Sequence, residues 1–131
     1  MPEEFMIQPG GFKNVSRDGQ VVGFQLRVRS AYYRGVYLSL VEDFEITVDG
    51  ETFPRDRIRF AIGEKSYTLD ELAPITDQRW PFRQPATLTV LKPGGLKTGM
   101  HDVHLAQKLR VSYMPVQPSV YVSTKKMSLV V

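Results

Sequence analysis

Apolar and polar residues alternate along most of this chain. Three stretches show the alternation best, namely Phe24 to Val28, Phe44 to Val48 and Ile58 to Ile62, in which every second residue is apolar. Successive side chains of a strand point to opposite faces, so this alternation is typical of strands with one buried and one exposed face. Each stretch is therefore predicted to form a half-buried β-strand.

A longer strand is predicted from Val103 to Tyr113. Its inward face carries Val103, Leu105, Leu109, Val111 and Tyr113, and its outward face carries Asp102, His104, Lys108, Arg110 and Ser112. Gln107 falls in the inward register. We expect either a bulge at this position or a buried amide whose hydrogen bonds are satisfied.

Turns are predicted between the strands. Asp18-Gly19 and Asp49-Gly50 each lie between apolar or alternating runs. Such pairs favour tight hairpins, because both central positions of the turn need positive φ. Pro93-Gly94-Gly95 predicts a wider reversal before the long strand.

Sustained helical periodicity is absent from the sequence, and the capping-box pattern from Thr68 to Glu71, followed by Pro74, predicts a single turn at most. Roughly seven or eight short strands with regular turns indicate an all-β fold. We predict an antiparallel β-sandwich of the jelly-roll kind, although a barrel shares this pattern. The chain fits a single domain over residues 1–131, with residues 1–11 as an extended N-terminal arm.

The sequence predicts a cytoplasmic protein that does not bind membranes. It lacks the roughly 18 consecutive apolar residues that a membrane helix needs. Its first residues, Met1-Pro2-Glu3-Glu4, are acidic where a secretory signal would be basic. The absence of cysteine excludes disulfides and thiolate chemistry.

Charge is distributed unevenly along the chain. Residues 1–78 carry 9 Lys/Arg and 13 Asp/Glu, whereas residues 79–131 carry 8 and 1, so balances of −4 and +7 make up the formal charge of +3. This predicts either a basic face for an acidic partner or two halves that interleave so that the charges mix. The small net charge and scattered basic residues argue against nucleic-acid binding.

Residues that could carry chemistry do not form a recognisable site. His101 and His104 are three residues apart, which places them on opposite faces of a strand and argues against a shared metal. The acidic residues between Glu42 and Glu51 fit an ordinary solvated strand face. No motif ties a serine to a histidine, and phosphate-binding glycine patterns are missing. We predict no catalytic residue, metal site or cofactor in this chain.

Two clusters combine aromatic residues with arginine. The contact candidates in them are Tyr32, Tyr33, Arg34 and Tyr37 in residues 31–37, and Trp80 and Arg83 in residues 79–83. Tyrosine, tryptophan and arginine dominate interface hot spots, because they combine a large apolar area with a polar tip. Such clusters also suit stacking on a flat ligand or a sugar ring. An equal alternative is that the aromatic residues anchor loops over the ends of the sandwich.

Several segments together resemble the β (small) subunits of bacterial C-glycoside deglycosidases. They are residues 30–50 (SAYYRGVYLSLVEDFEITVDG), Arg79 with Trp80, and residues 89–115, which contain LKPGGL and LRVSYMP. These segments cover about half of the chain and are spread across it. Because these segments are distinctive in both sequence and order, the resemblance is more specific than any single motif.

The resemblance implies a heteromeric lyase. Such an enzyme cleaves the carbon–carbon bond between a sugar and an aromatic aglycone, such as a flavonoid, in a 3-oxo-C-glycoside. A barrel-type α subunit then holds a divalent metal, commonly manganese, and supplies the acid–base residues, while the β subunit is a β-sandwich needed for a functional complex. By this resemblance the chain works as a hetero-oligomer with an α subunit and has no cofactor of its own.

No catalytic residue is carried over, because no catalytic motif of the family falls on this chain. We predict that the subunit contact or the rim of the aglycone site includes Tyr32, Tyr33, Arg34, Tyr37, Trp80 and Arg83. Arg27 and Arg29, on the outward face of a predicted strand, are second-rank candidates because outward arginines are usually just solvated.

Two other functions remain open from the residues alone. A stand-alone carbohydrate- or polyphenol-binding sandwich would be a well-behaved monomer that binds sugar or flavonoid unaided. An autonomous small enzyme would be active as the isolated chain, although the sequence offers no constellation of residues to support it.

Overall fold

The computed structural model describes residues 6–8, 10–30, 36–81, 83–110 and 119–129. These residues form β-strands joined by turns and short 3₁₀ segments. The strands are β1 (Lys13–Arg17), β2 (Gln20–Val28), β3 (Val36–Tyr37), β4 (Val41–Val48), β5 (Glu51–Phe53), β6 (Ile58–Ile62), β7 (Lys65–Thr68), β8 (Arg79–Trp80), β9 (Ala86–Leu91), β10 (Gly99–Leu109) and β11 (Ser119–Leu129). The 3₁₀ segments are Leu38–Leu40, Arg55–Arg57 and Leu69–Leu72.

The strands assemble into two large sheets and a small one. The first sheet has the order β1-β2-β9-β6-β7, and the second has the order β11-β10-β4-β5. β3 and β8 form the small sheet. All of these pairings are antiparallel. Along the described strands, the chain crosses between the large sheets three times, from β2 to β4 by way of β3, from β5 to β6, and from β9 to β10.

The two large sheets pack face to face over one hydrophobic core. Phe24 of the first sheet meets Phe53 of the second with ring centroids 5.4 Å apart, and Phe44 stacks on Phe60 at 5.9 Å. Two sheets that bury their apolar faces against each other form a sandwich. The predicted all-β sandwich is confirmed, and the described strands form two separate large sheets rather than a closed barrel.

The alternating pattern of the sequence matches the two faces of the strands. Every second residue in Phe24 to Val28, Phe44 to Val48 and Ile58 to Ile62 is buried as predicted. The same holds for the inward residues of β10 between Val103 and Leu109. The predictions for Val111, Ser112 and Tyr113 fall outside the described residues.

Gln107 is a buried amide with a hydrogen-bond partner. Its Nε2 donates to the carbonyl oxygen of Arg29 at 3.1 Å, and the side chain has no exposed surface. The register between β10 and β4 also shifts between Lys108 and Leu109. The predicted satisfied amide and an irregularity beside it are therefore both present, and the bond ties the second sheet to the segment that follows β2.

The predicted turns have the expected backbone. Asp18 and Gly19 have φ of 53° and 80°, and Asp49 and Gly50 have φ of 50° and 88°, as tight hairpins between twisted strands require. The capping box also forms, since the Thr68 side chain accepts from the Glu71 backbone and the Glu71 side chain accepts from the Thr68 backbone. One 3₁₀ turn follows it, as predicted.

The acidic and basic halves of the sequence interleave in space. β9 lies between β2 and β6, and β10 lies between β11 and β4. Lys92 approaches Glu51 at 3.5 Å, and Arg110 Nε donates to Glu42 at 2.7 Å. The alternative in which the charges mix is therefore the one found in the described part of the chain.

Part of the predicted N-terminal arm packs onto the sandwich. Ile7 forms a β-bridge with Val28, and Met6 and Ile7 are buried.

In the ranges that the structure describes, no helix has the length and apolar character of a membrane span.

Candidate functional site

Several strand ends meet at one end of the sandwich. β2 ends beside the start of β9, where Val28 pairs with Ala86. β10 ends beside the starts of β4 and β11, where Leu109 pairs with Val41 and with Ser119. β3 leads into β4, and β8 leads into β9. The described residues of both aromatic and arginine clusters therefore gather at this end, and we call Arg29, Tyr37, Arg79 and Arg83 the rim.

Tyr37 and Arg79 face each other across the small β3-β8 sheet. The guanidinium carbon of Arg79 lies 5.0 Å from the centre of the Tyr37 ring, which is the geometry of a cation–π contact. Tyr37 remains 40% exposed. The pair therefore presents an aromatic surface with a cationic edge, a combination suited to contact with a protein or a flat ligand.

Trp80 is fully buried and does not present a contact surface. Its ring lies 5.2 Å from that of Phe60 and 6.2 Å from that of Phe44, measured between centroids. The side chain of Trp80 faces the core because β8 pairs it with Val36, which is also buried. The prediction that Trp80 lies at a contact surface is therefore corrected. Trp80 instead anchors a loop, which was the alternative interpretation of the aromatic clusters.

The buried indole positions the turn that carries Arg83. Trp80 Nε1 donates to the carbonyl oxygen of Gln84 at 2.8 Å, and the Gln84 backbone N–H donates to the carbonyl oxygen of Pro81 at 3.1 Å. The first bond fastens the turn to the buried indole and the second closes the turn, while the Arg83 side chain is exposed. The backbone that carries Arg83 is therefore held in place, and its exposed side chain is available for contact.

The second-rank arginines occupy different places. Arg27 is exposed on the outer face of the first sheet, where it lies over Gly11 so closely that a side chain at Gly11 would meet it. Arg29 is half-buried at the rim. With the Gln8 amide in its hydrogen-bonded orientation, Gln8 oxygen accepts from Arg29 Nε at 3.1 Å and from Nη2 at 2.8 Å. Arg29 is thus partly engaged within the chain.

Three predicted contact residues, Tyr32, Tyr33 and Arg34, lie outside the described residues. Arg79 is missing from the predicted set, although the sequence places it directly beside Trp80. Val120 and Val122 are also missing, and both are exposed on β11. A signal for them exists, because Val120, Tyr121 and Val122 are consecutive apolar residues and a strand must turn some of them outward.

The opposite end of the sandwich is closed by hydrogen bonds around His101. Its Nδ1 lies 2.6 Å from Asp49 Oδ2, and its Nε2 lies 2.7 Å from the carbonyl oxygen of Lys97. Both partners are acceptors, so both ring nitrogens must donate and the imidazolium form fits the site. His104 lies on the outer face and contacts Thr124 Oγ1 at 2.8 Å, which confirms that the two histidines point to opposite faces.

The charges at this end are matched to each other. The bond to the Lys97 carbonyl raises the pKa of His101 above its usual value, and Asp49 adds to the effect against the opposing effect of burial. The backbone N–H of Asp102 and the His101 side chain lower the pKa of Asp49. Both groups therefore favour their charged forms in the fold, and these two residues act as a structural clasp.

Other polar groups at this end and along β4 also have structural partners. Asn14 Nδ2 donates to the Leu96 carbonyl oxygen and Asn14 Oδ1 accepts from the Leu96 N–H, both at 2.9 Å. Arg55 bridges Asp43 at 2.9 Å and Asp70 at 2.7 Å. In the described part of the chain, no group of three or more His, Asp or Glu side chains could hold a metal.

The chain is a β-sandwich in which His101 and Asp49 serve the fold, while exposed aromatic and basic side chains gather at one end, as expected of a binding or partner domain. The model of the C-glycoside deglycosidase beta subunit family matches residues 2–113, and the chain belongs to this family. The resemblance drawn from the sequence segments is thereby confirmed.

Curated relatives are similar to this chain over most of their length. The C-glycoside deglycosidase beta subunit of Eubacterium cellulosolvens is 38% identical over 114 residues, which is 86% of this chain and 78% of the relative. The 3'-dehydrocarminate deglycosidase beta subunit of a Microbacterium species is 35% identical over 95 residues, or 72% and 70%. A C-glycoside deglycosidase beta subunit of Arthrobacter globiformis is 28% identical over 104 residues, or 79% of each.

Proposed function

We propose that this chain is the small subunit of a heteromeric lyase that releases the aromatic aglycone from a 3-oxo-C-glycoside. Membership of the beta subunit family over residues 2–113 carries this proposal. The name of one relative refers to a 3'-dehydro substrate, which is consistent with a sugar oxidised at C3. The relatives are named as beta subunits, so we infer an α partner for this chain as well.

In the proposed complex the bond-breaking chemistry belongs to the α subunit. A ketone at C3 of the sugar makes the hydrogen at C2 acidic, so cleavage needs a base for that hydrogen and an acid for the departing aglycone. In this chain His101 is engaged at both ring nitrogens. A barrel-type α subunit with a divalent metal, commonly manganese, is the partner that the family resemblance implies.

The rim is the part of this chain that we assign to the subunit contact or to the edge of the aglycone site. Exposed Tyr37 stacked on Arg79 offers apolar area and charge together, and Arg83 projects from an anchored turn. Tyr32, Tyr33 and Arg34 remain part of the proposal, with Arg27 and Arg29 in second rank. Trp80 contributes by holding the Arg83 turn in place.

Co-expression with the α subunit from the same genome tests the proposed function. The pair is purified, its mass is measured by size-exclusion chromatography with light scattering, and deglycosylation of a 3-oxo-C-glucoside is assayed with manganese. We expect both chains in one peak, with activity that neither chain shows alone. Separate elution, with the α subunit fully active by itself, would contradict the proposal.

The isolated chain provides the comparison with the alternative function. Titration calorimetry with a flavonoid and with its C-glucoside measures binding without a partner. A monomer that binds either compound tightly and ignores the α subunit would instead identify a stand-alone binding module. A cytoplasmic location is part of the proposal, and cell fractionation of the producing organism checks it.

A further inference from the structure

A strip of apolar side chains lies open on the outer face of the second sheet. Val120 and Val122 of β11 are 54% and 50% exposed. They stand beside Lys108 and Ala106 of β10 in the strand register. Two β-branched residues at alternate positions of one strand point to the same side, so the valines form a continuous apolar edge rather than two scattered residues.

Charged side chains border this strip. Ala106 and Lys108 pair in register with Glu45 and Asp43 of β4, and these residues with Val120 line a shallow cleft of about 160 Å³. Asp43 is held by Arg55 at 2.9 Å. Glu45 and Lys108 have no ion pair among the described residues. The strip therefore carries an available anion on one side and an available cation next to it.

The edge of the sheet is protected from pairing with another strand. β11 is the outermost strand of the second sheet. Lys125 of β11 falls in the inward register with the buried Met127, and the neighbouring Lys126 reaches Asp102 at 3.7 Å on the outer face. An inward-pointing lysine on an edge strand disfavours the addition of another strand. Contact through the face at Val120 and Val122 is therefore favoured over contact through the edge.

We propose that the outer-face patch of Val120, Val122, Ala106, Lys108 and Glu45 docks the α subunit, a proposal that rests on the proposed function. Buried apolar contact with bordering charges is the usual anatomy of a specific interface. The patch continues toward the rim, because Val120 and Lys108 sit near the end of the sheet where Arg110 binds Glu42. One partner surface can thus cover the patch and the rim together.

The family argues for a different chain rather than a second copy. The matching family and the relatives are beta subunits, so an α partner is the expected occupant of the patch. If only the valine strips of two copies overlapped, the contact would fall far short of the roughly 1,000 Å² that a stable interface needs. A partner with an acidic residue opposite Lys108 and a basic residue opposite Glu45 satisfies the whole patch.

Val122→Arg and Met100→Arg form a matched pair of variants for the test. Met100 is 60% exposed and lies on the same face of β10, but it pairs with Ser128 at the far end of the sheet. Each variant is co-expressed with the α subunit, and the affinity of the purified chains is measured by biolayer interferometry. We expect Val122→Arg to weaken the complex by about 30-fold or more, as loss of a hot spot does, and Met100→Arg to change it less than threefold.

Glu45→Lys provides a second variant that leaves the apolar strip intact. It should weaken the complex by about tenfold, with an effect that shrinks as salt is added. Equal affinity of wild type, Val122→Arg and Glu45→Lys for the α subunit would overturn the proposed surface. A chain that dimerises alone, and that Val122→Arg converts to a monomer without loss of α binding, would also overturn it in favour of a second copy.

The proposed function and the proposed docking surface are contradicted by different results. If the wild-type chain does not bind the α subunit at all, the proposed function falls and the surface falls with it. If the wild type binds and only the rim variants weaken the complex, the function stands and the outer-face patch is excluded. If Met100→Arg weakens the complex as much as Val122→Arg, the effect is not specific to the patch and the proposed surface is overturned.

Discussion

The two ends of the sandwich differ in whether their polar side chains are bonded within the chain or left exposed. At the His101 end, the polar side chains of His101, Asp49 and Asn14 are bonded to partners within the chain. At the rim, Tyr37 and Arg83 are exposed while the large aromatic ring of Trp80 is buried beneath them. A titratable residue that looks functional in the sequence can thus be structural, and the groups available for contact lie at the other end.

This difference separates variants that change stability from variants that change assembly. Residues of the His101 end should affect the free energy of unfolding without affecting the complex. Exposed residues of the rim should do the reverse.

Trp80→Ala should have the largest effect, because it empties the core beneath the rim. Loss of a buried tryptophan costs about 3–5 kcal/mol of the free energy of unfolding, and here the Nε1 bond to Gln84 is lost as well. Urea unfolding followed by circular dichroism measures it. Trp80→Phe should lose clearly less, since it keeps most of the buried ring. Unchanged stability in Trp80→Ala would show that the indole is not an anchor.

Tyr37→Ala and Arg83→Ala should weaken the complex with the α subunit. We expect about 2 kcal/mol for the more important of the two, the scale of an interface hot spot. Stability should change by no more than about 1 kcal/mol, because both side chains are exposed and Tyr37 loses only its contact with Arg79. Isothermal titration calorimetry and urea unfolding measure the two quantities. If a variant that carries both substitutions bound the α subunit as tightly as wild type, the rim would not be part of the contact.

Asn14→Ala should change stability alone. The substitution removes both hydrogen bonds to the Leu96 backbone, and we expect a loss of about 1–3 kcal/mol. Binding of the α subunit should be unchanged, which makes this variant the counterpart of Tyr37→Ala at the opposite end. A variant that folds as stably as wild type but binds poorly would contradict the division between the two ends.

The His101 clasp should make stability depend on pH. The pKa of His101 is raised in the fold, so its contribution is complete below about pH 6.5, the usual pKa, and is lost as the pH rises through the folded-state pKa. The pKa of Asp49 is lowered, so its contribution is present above the usual value of about 3.9 and is lost as the pH falls through the folded-state pKa. Stability from the pair should therefore be greatest between these limits.

Asp49→Asn is the variant that isolates this effect. Asparagine tolerates the φ of 50° at this turn and can still accept from the Asp102 backbone N–H, but it carries no charge. Urea unfolding from pH 5 to pH 9 should show a smaller fall in stability at high pH for the variant than for wild type. Parallel pH profiles would mean that Asp49 does not contribute to the raised pKa of His101, which would then rest on the Lys97 carbonyl.

Arg27→Ala should have the smallest effect. Arg27 is exposed on the outer face of the first sheet, so stability and binding of the α subunit should each change by less than about 0.5 kcal/mol. Calorimetry on the same preparation as the rim variants measures the binding. A loss as large as that of Tyr37→Ala would extend the contact surface onto the first sheet.

Much of the fold follows from the sequence, because period-two alternation and turn chemistry are local. The buried faces around Phe44 and Phe60, and the positive φ at Asp49 and Gly50, could be predicted from neighbouring residues. The pairing of β9 between β2 and β6 could not, since strand order depends on contacts distant in sequence.

The site was less predictable than the fold. Trp80 and Arg83 are close in the sequence and could be assigned to one cluster. The burial of Trp80 could not be predicted, because it depends on which face of the two-residue strand β8 meets the core. The clasp of His101 with Asp49 and Lys97 joins a hairpin, a strand and a loop. The local sequence gives no signal that these three residues are in contact.

Titration of the α subunit with this chain tests whether the chain is needed for activity. A fixed amount of purified α subunit, with manganese, receives increasing amounts of the wild-type chain while release of aglycone from a 3-oxo-C-glucoside is followed. We expect activity that rises from near zero and saturates at a fixed ratio of the two chains. Activity of the α subunit that is complete at the start and unaffected by the added chain would contradict it.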